Sequence, residues 1–114
     1  MPSILETRAF TKALKSFQKK YRNIGKDFDA FKTAVSHSPR NIGKEIPGFD
    51  GEVIKYRMPS SDMKRGKSGG FRIIGLLLNG DTELILLTIY AKPDMENISP
   101  KQIEDLVKSA LESL

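Results

Sequence analysis

The chain has no cysteine, a single histidine and no apolar run long enough to cross a membrane. Without thiols there can be neither a disulfide framework nor a thiolate metal site, a composition that suits a reducing compartment. The longest apolar stretches, residues 73–78 and 84–90, fall far short of the roughly 20 residues a helical span needs. Glu6 and Arg8 break up the apolar residues at the start, so no signal-peptide core forms there. A soluble cytoplasmic protein with no membrane association is expected. Asp27, Asp62 and Asp94 stand at no metal-ligand spacing, and neither a P-loop nor a dinucleotide fingerprint occurs, so no metal and no cofactor is expected. A length of 114 residues fits one domain, 1–114, with a core of its own.

What the chain does have is positive charge, unevenly placed. Lys and Arg number 19 against 14 Asp and Glu. Between Glu52 and Gly75 six cations (Lys55, Arg57, Lys64, Arg65, Lys67, Arg72) face two acids (Glu52, Asp62), a local balance of +4. From Pro93 to Leu114 two lysines face five acids, giving −3. Such polarity separates a basic working surface from an acidic supporting one. The densest part, Lys64-Arg65-Gly66-Lys67-Ser68-Gly69-Gly70-Phe71-Arg72, runs straight into the apolar stretch from Ile73. Glycine admits a close backbone approach and the cations neutralise phosphate, so this turn reads as a nucleic-acid contact.

The periodicities predict an α+β chain. Residues 3–8 read as a short first strand. Phe10, Ala13, Leu14, Phe17 and Tyr21 recur at helical spacing, with Lys12, Lys15, Lys19 and Lys20 outside that stripe. That basic face reads as solvated surface, with ribosomal RNA contact as the alternative. Asp27 is a candidate cap for a second helix with Phe28, Phe31, Ala34 and Val35 inward, ended by Ser38-Pro39. Residues 41–51 read as a loop, and 53–58 as a half-buried strand with Lys55 and Arg57 on its cationic face. Residues 71–78 and 84–90 are two apolar strands around Asn79-Gly80-Asp81, a hairpin signal. Ser99, Pro100 and Gln102 form a capping box for a last helix with Ile103, Leu106, Val107, Ala110, Leu111 and Leu114 inward. The expected order is βααβββα, with helices covering one face of a mainly antiparallel, twisted sheet.

With that order, three segments carry a resemblance: the loop from Ser38-Pro39 to Ile46-Pro47-Gly48, the stretch from Lys64 to Ile74, and Leu86-Leu87-Thr88-Ile89-Tyr90-Ala91-Lys92 followed by Met95-Glu96-Asn97-Ile98-Ser99. The chain resembles the HigB-like branch of the RelE/ParE superfamily of toxins from type II toxin-antitoxin systems. The resemblance implies a RelE-like fold and metal-independent, ribosome-dependent cleavage of messenger RNA in the A site. It also implies a helix-turn-helix antitoxin as partner, contact with the ribosome through its 16S RNA, and operator DNA bound through the antitoxin. Position by position it carries over to Lys64, Arg65, Lys67, Arg72, Tyr90 and Lys92. Arg72, Lys64, Lys67, Tyr90 and Lys92 are then the expected catalytic groups and Arg65 an expected RNA contact, beside Lys55 and Arg57 on the cationic strand face and Gly69 and Gly70 in the turn. Two departures stand out. Pro93 follows Lys92 where some relatives place an arginine, and His37 lies far in sequence from the sheet, against a histidine-based mechanism.

Metal-free RNA cleavage needs an aligned 2′-hydroxyl, a group to take its proton, charge stabilisation at phosphorus and help for the leaving oxygen. Arg72, with its rigid fork, suits the charge. Lys64 or Lys67, crowded by other cations, or else Tyr90, would be the base, and Lys92 would shield the leaving group. Plainer readings stand beside these: Arg72 as a strand-end cation, Tyr90 as a sheet tyrosine, Gly69 and Gly70 as turn residues. Strand parity adds a condition. If Leu78 pairs with Thr82 around a three-residue loop, Arg72 and Tyr90 share a face; if it pairs with Asp81 they do not, unless a bulge resets the register. The competing functions are a ParE-like toxin that binds a protein target such as gyrase, and an inactive relative that serves only as an antitoxin partner. A neighbouring reading frame with a helix-turn-helix pattern would support a toxin-antitoxin pair.

Overall fold

The computed structural model describes residues 1–63 and 69–113. Their elements follow in the order β1 (Ser3–Glu6), α1 (Arg8–Phe17), α2 (Ile24–His37), β2 (Lys44–Glu45), β3 (Val53–Met58), β4 (Phe71–Leu78), β5 (Glu83–Ala91) and α3 (Pro100–Glu112). The strands form one sheet ordered β1-β5-β4-β3-β2. Only the β1–β5 pairing is parallel; the other three are antiparallel. This is the expected α+β order with one short strand, β2, added inside the expected loop. It forms there because Lys44 and Glu45 pair with Lys55 and Ile54.

The sheet is covered on both faces rather than one. Phe10 of α1 and Ile24, Phe28, Phe31 and Val35 of α2 pack with Ile54, Tyr56, Met58, Phe71, Ile73 and Leu77. On the opposite face Ile103 and Ala110 of α3 pack with Val53, Ile74, Leu76, Ile85 and Leu87. Burial from both sides explains why β4 and β5 are apolar nearly throughout instead of alternating. In α3 the capping box is present, but the apolar stripe is wider than the surface it covers. Leu111 stays 50% exposed, and Leu114 lies outside the described residues.

Several boundaries differ from the sequence reading for local reasons. Thr7 is not a strand residue but the N-cap of α1, where its hydroxyl accepts from Phe10 N at 3.1 Å. The stripe of α1 runs on only to Phe17, yet Tyr21 beyond it is still buried. Asn23, not Asp27, precedes α2. Asp62 accepts from both Asn23 N and Asn23 Nδ2 at 2.9 Å, while Asp27, inside the first turn, accepts from Ser61 N at 2.9 Å and Ser61 Oγ at 2.5 Å. The two aspartates therefore tie the β3–β4 connection to the start of α2. Ala34 is exposed, not inward.

The β4–β5 hairpin differs most. Leu78 pairs with Glu83, so its loop has four residues, 79–82, with Asn79, Gly80 and Asp81 all at positive φ, which these residue types tolerate. That register alone would put Arg72 and Tyr90 on opposite faces. A bulge corrects it: Ile74 pairs with Thr88 but Gly75 with Leu86, which leaves Leu87 as the extra residue. Past the bulge Arg72 stands directly opposite Tyr90.

Candidate nucleic-acid interface

On the α3 side of the sheet, two rows of side chains cross the strands at the edge of the apolar cluster that α3 packs in, with Tyr90 alone among them belonging to that cluster. In one, Lys44 of β2 stands opposite Lys55 of β3; in the next, Arg57 of β3 stands opposite Arg72 of β4, which stands opposite Tyr90 of β5. Like charges directly opposite each other on paired strands repel. Two such pairs side by side are not something a sheet adopts for its own stability. They line a cavity of about 440 Å³ whose wall is Ile42, Gly43, Lys44, Lys55, Arg57, Arg72 and Lys92. Five of those seven residues are cations and none is an acid.

The charges feel one another. Burial, then Lys92, Arg72 and Lys44, push the Lys55 ammonium below its ordinary pKa. Burial and Arg57 likewise lower Arg72, against a smaller opposing influence from Tyr90. The guanidinium of Arg72 is aimed by carbonyls: Nη1 donates to Gly69 O at 3.1 Å and to Phe71 O at 3.2 Å. Lys92 is held twice, its backbone N donating to Gly70 O and its Nζ to Glu96 O, both at 3.0 Å. Lys55 Nζ lies 3.4 Å from Asn97 Oδ1. The segment between β5 and α3 thus forms one side of the site.

The other side is the loop leading into β2. Gly43 lies so close over Ile54 and Tyr56 that a Cβ there would collide with both side chains. The Tyr56 hydroxyl donates to Pro39 O, and burial pushes its pKa up. Arg40 braces the loop: Nε and Nη2 reach the Asp81 carboxylate at 3.0 and 2.9 Å, and Nη1 reaches Glu45 Oε1 at 2.9 Å and Gly51 O at 2.7 Å. That contact raises Arg40 and lowers Asp81 from their ordinary values. Lys44 is therefore presented to the cavity by a loop with little freedom to move.

Of the residues singled out from sequence, Arg72, Lys92, Lys55 and Arg57 share this cavity. Gly69 and Gly70 do not line it; both are buried, and their carbonyls hold Arg72 and Lys92. Gly70 sits at φ 76°, and a Cβ would come within 2.9 Å of Met58 O. Tyr90 is only 5% exposed, and its buried hydroxyl finds no hydrogen-bond partner among the described residues. Burial raises its pKa while Arg72 works the other way. Lys64, Arg65 and Lys67 lie outside the described residues. His37 is exposed at the end of α2 and lines none of this cavity. Among the described residues no three acidic or histidine side chains come together as a metal-ligand set. Sequence reasoning missed Lys44 and Asn97. Lys44 could have been found had residues 41–51 been read as an edge strand.

No family model and no curated protein matches the sequence. Among solved structures, a chain of the toxin-antitoxin complex RelBE2 from Mycobacterium tuberculosis superimposes with a TM-score of 0.58 at 13% identity, over 78% of this chain and 96% of that one. The fold is RelE-like. A mutant of the E. coli toxin RelE in the free state aligns over 97% of this chain and 95% of its own, at 14% identity and a TM-score of 0.49. Within the RelE-like fold, the cavity occupies the open part of the sheet face that α3 leaves uncovered.

Proposed function

We propose that this protein is the toxin of a type II toxin-antitoxin system, of the HigB-like branch of the RelE/ParE superfamily, and that it cleaves messenger RNA in the ribosomal A site. The observation that carries the reading is the cavity itself: five cations from β2, β3, β4 and the end of β5, no acid among them, with Lys44 against Lys55 and Arg57 against Arg72. A patch whose internal pairs repel is stabilised by a polyanion placed between them.

In the proposed reaction the 2′-oxygen attacks phosphorus and the bond to the 5′-oxygen breaks, leaving a 2′,3′-cyclic phosphate and a 5′-hydroxyl. Lys55, whose ammonium is weakened by burial and by three neighbouring cations, takes the 2′-hydroxyl proton in its neutral form. Arg72 and Arg57 stabilise the charge that grows on the phosphate oxygens. Lys92 returns a proton to the 5′-oxygen, and Lys44 holds the adjoining phosphate. Tyr90, made harder to ionise by burial, serves as a neutral donor beside Arg72 rather than as the base. Lys64, Arg65 and Lys67 add phosphate contacts to the message. The partner is an antitoxin with a helix-turn-helix, acidic where it shields this face and responsible for operator binding. The reaction takes place in the cytoplasm, and no helix among the described residues is long and apolar enough to cross a membrane.

The test is primer extension on a translated message after induction. Translation-dependent breaks should appear with the natural chain and fall by at least about 100-fold in Arg72→Ala, as when one charge-stabilising donor is lost. Growth arrest with intact message and altered DNA topology would instead establish the gyrase-directed alternative. A second measurement addresses the base. The cleavage rate should rise with pH and level off below the ordinary lysine value of 10.5, because the free amine of Lys55 does the work. Lys55→Arg, which cannot give up its proton, should bind the message yet lose both cleavage and that pH dependence.

A further inference from the structure

We propose that Arg40 is a positioning residue for the cationic cavity: by tying the tip of the β4–β5 hairpin to β2, it holds Lys44 where it can bind a phosphate of the message. The proposal rests on the nucleic-acid reading of the cavity above and names the group that assembles one side of it. β2 is an edge strand of two residues, and within it Lys44 stands opposite Lys55. Among the described residues no acid pairs with Lys44, and past the two register pairs the edge is continued by a hydrogen bond from Ile46 N to Val53 O at 2.9 Å. Like charges directly opposite each other push strands apart, so an edge this short needs an outside brace to keep its lysine on the sheet.

Arg40 is that brace. Four of its five N–H groups are engaged: Nε and Nη2 grip both oxygens of the Asp81 carboxylate, while Nη1 reaches Glu45 Oε1, next to Lys44, and Gly51 O, two residues before β3. Three chain segments thereby meet on one planar fork. The backbone is shaped to suit it. Asp81 and Gly51 sit at φ 65° and 76°, and a Cβ on Gly51 would come within 2.8 Å of Glu45 Oε1. A lysine in place of Arg40 carries the same charge, but as a point donor on a flexible stem it cannot fix three partners in one plane.

Arg40 does not itself meet the message. It is not among the described residues that line the cavity, and it faces a separate depression with Asp81, Thr82 and His37. Two carboxylates offset its charge. Asp81 is set apart as well. Ile74 shares the row of Lys55 and β4 ends at Leu78, so roughly 13 Å of strand separate that row from the hairpin loop. An effect of Asp81 on binding at Lys44 therefore passes through Arg40, and its sign is diagnostic. Removing an acid strengthens the attraction for a polyanion, whereas removing the anchor frees Lys44 and weakens the grip.

The experiment titrates the full-length chain with a short single-stranded RNA at several salt concentrations and follows amide hydrogen exchange by NMR. Arg40→Lys and Asp81→Asn, the second keeping a residue that tolerates positive φ, should each weaken binding about fivefold. Each should also lower the slope of log affinity against log salt by about 0.7, the share of one lost phosphate contact. In a chain already carrying Lys44→Ala neither should weaken binding further, because the contact they position is gone. Exchange at Ile46 N should speed up at least about tenfold in both variants, with Ile73 and Ile89 in the middle of the sheet unchanged. Tighter or unchanged binding in Asp81→Asn would overturn the proposal, as would full binding in Arg40→Lys or losses that add to those of Lys44→Ala. A rise in exchange spread evenly over all strands, the mark of a general loss of stability, would overturn it too. The two readings fail separately: a natural chain that binds no RNA removes the nuclease reading, while exchange at Ile46 still decides whether Arg40 fixes Lys44.

Discussion

Lys44 and Lys55, held opposite each other across β2 and β3, exert a repulsion that the free protein has to tolerate. Removing one partner should therefore separate stability from function. Lys44→Ala is expected to raise the unfolding free energy by about 0.5 kcal/mol, within the range of cross-strand pair effects, while weakening binding to the message; calorimetry and RNA titration on the same preparation would show both. Tyr90→Phe should behave similarly. Its buried hydroxyl has no partner among the described residues, so deletion should stabilise the free protein by about 1 kcal/mol and raise the melting temperature by about 4 °C. If the hydroxyl donates to the bound phosphate as proposed, cleavage should fall in the same variant. At this scale the sequence was informative about which residues carry charge and less so about which meet. Arg72, Lys92, Lys55 and Arg57 could be picked out because cations in otherwise apolar strands stand apart. Lys44 and Asn97 stood out less, because Lys44 sits on an edge strand of two residues, too short to show a period, and Asn97 lies in the segment between β5 and α3, which has none.

The element that sets the site is the bulge in β5. Gly75 opposes it, where a Cβ would come within 2.8 Å of Leu84 Cδ1 and 3.1 Å of Tyr56 Cε2. The carbonyl of Leu86 accepts from Thr7 N at 3.2 Å and from Thr7 Oγ1 at 2.8 Å, so the start of α1 satisfies a group beside the unpaired Leu87. Thr7→Val keeps the shape and the backbone donation but removes both the cap and the hydroxyl's donation to Leu86 O. It should cost about 1–3 kcal/mol in thermal unfolding and lower cleavage by disturbing the register that sets Arg72 against Tyr90. Strand parity predicted that these two must share a face, and they do; the route differs. A three-residue loop would have achieved it directly, whereas the chain uses a four-residue loop and then shifts register. A bulge depends on what packs against it, here Thr7 and Gly75, and such distant partnership has no local sequence mark. The final helix shows the same limit: its capping box and stripe were legible, but the face it would cover was decided by the sheet.

For the whole molecule, charge is arranged in three zones: a concave cationic face beyond α3, a basic stripe along α1, and paired or acidic surfaces on α2 and α3. Net charge of +5 understates this, since the last segment's excess of acids is counted against cations of the cavity that none of them pairs with among the described residues. The parallel pairing of β1 with β5 has a different implication, for biosynthesis. Ser3 finds its partner only at Glu83, so the first strand made waits unpaired for the last of the described strands. Closing so long a loop is entropically late. During translation the sheet cannot be completed until β5 has cleared the exit tunnel, so the cationic cavity, which draws on β2, β3, β4 and the end of β5, is assembled only after that last strand has emerged.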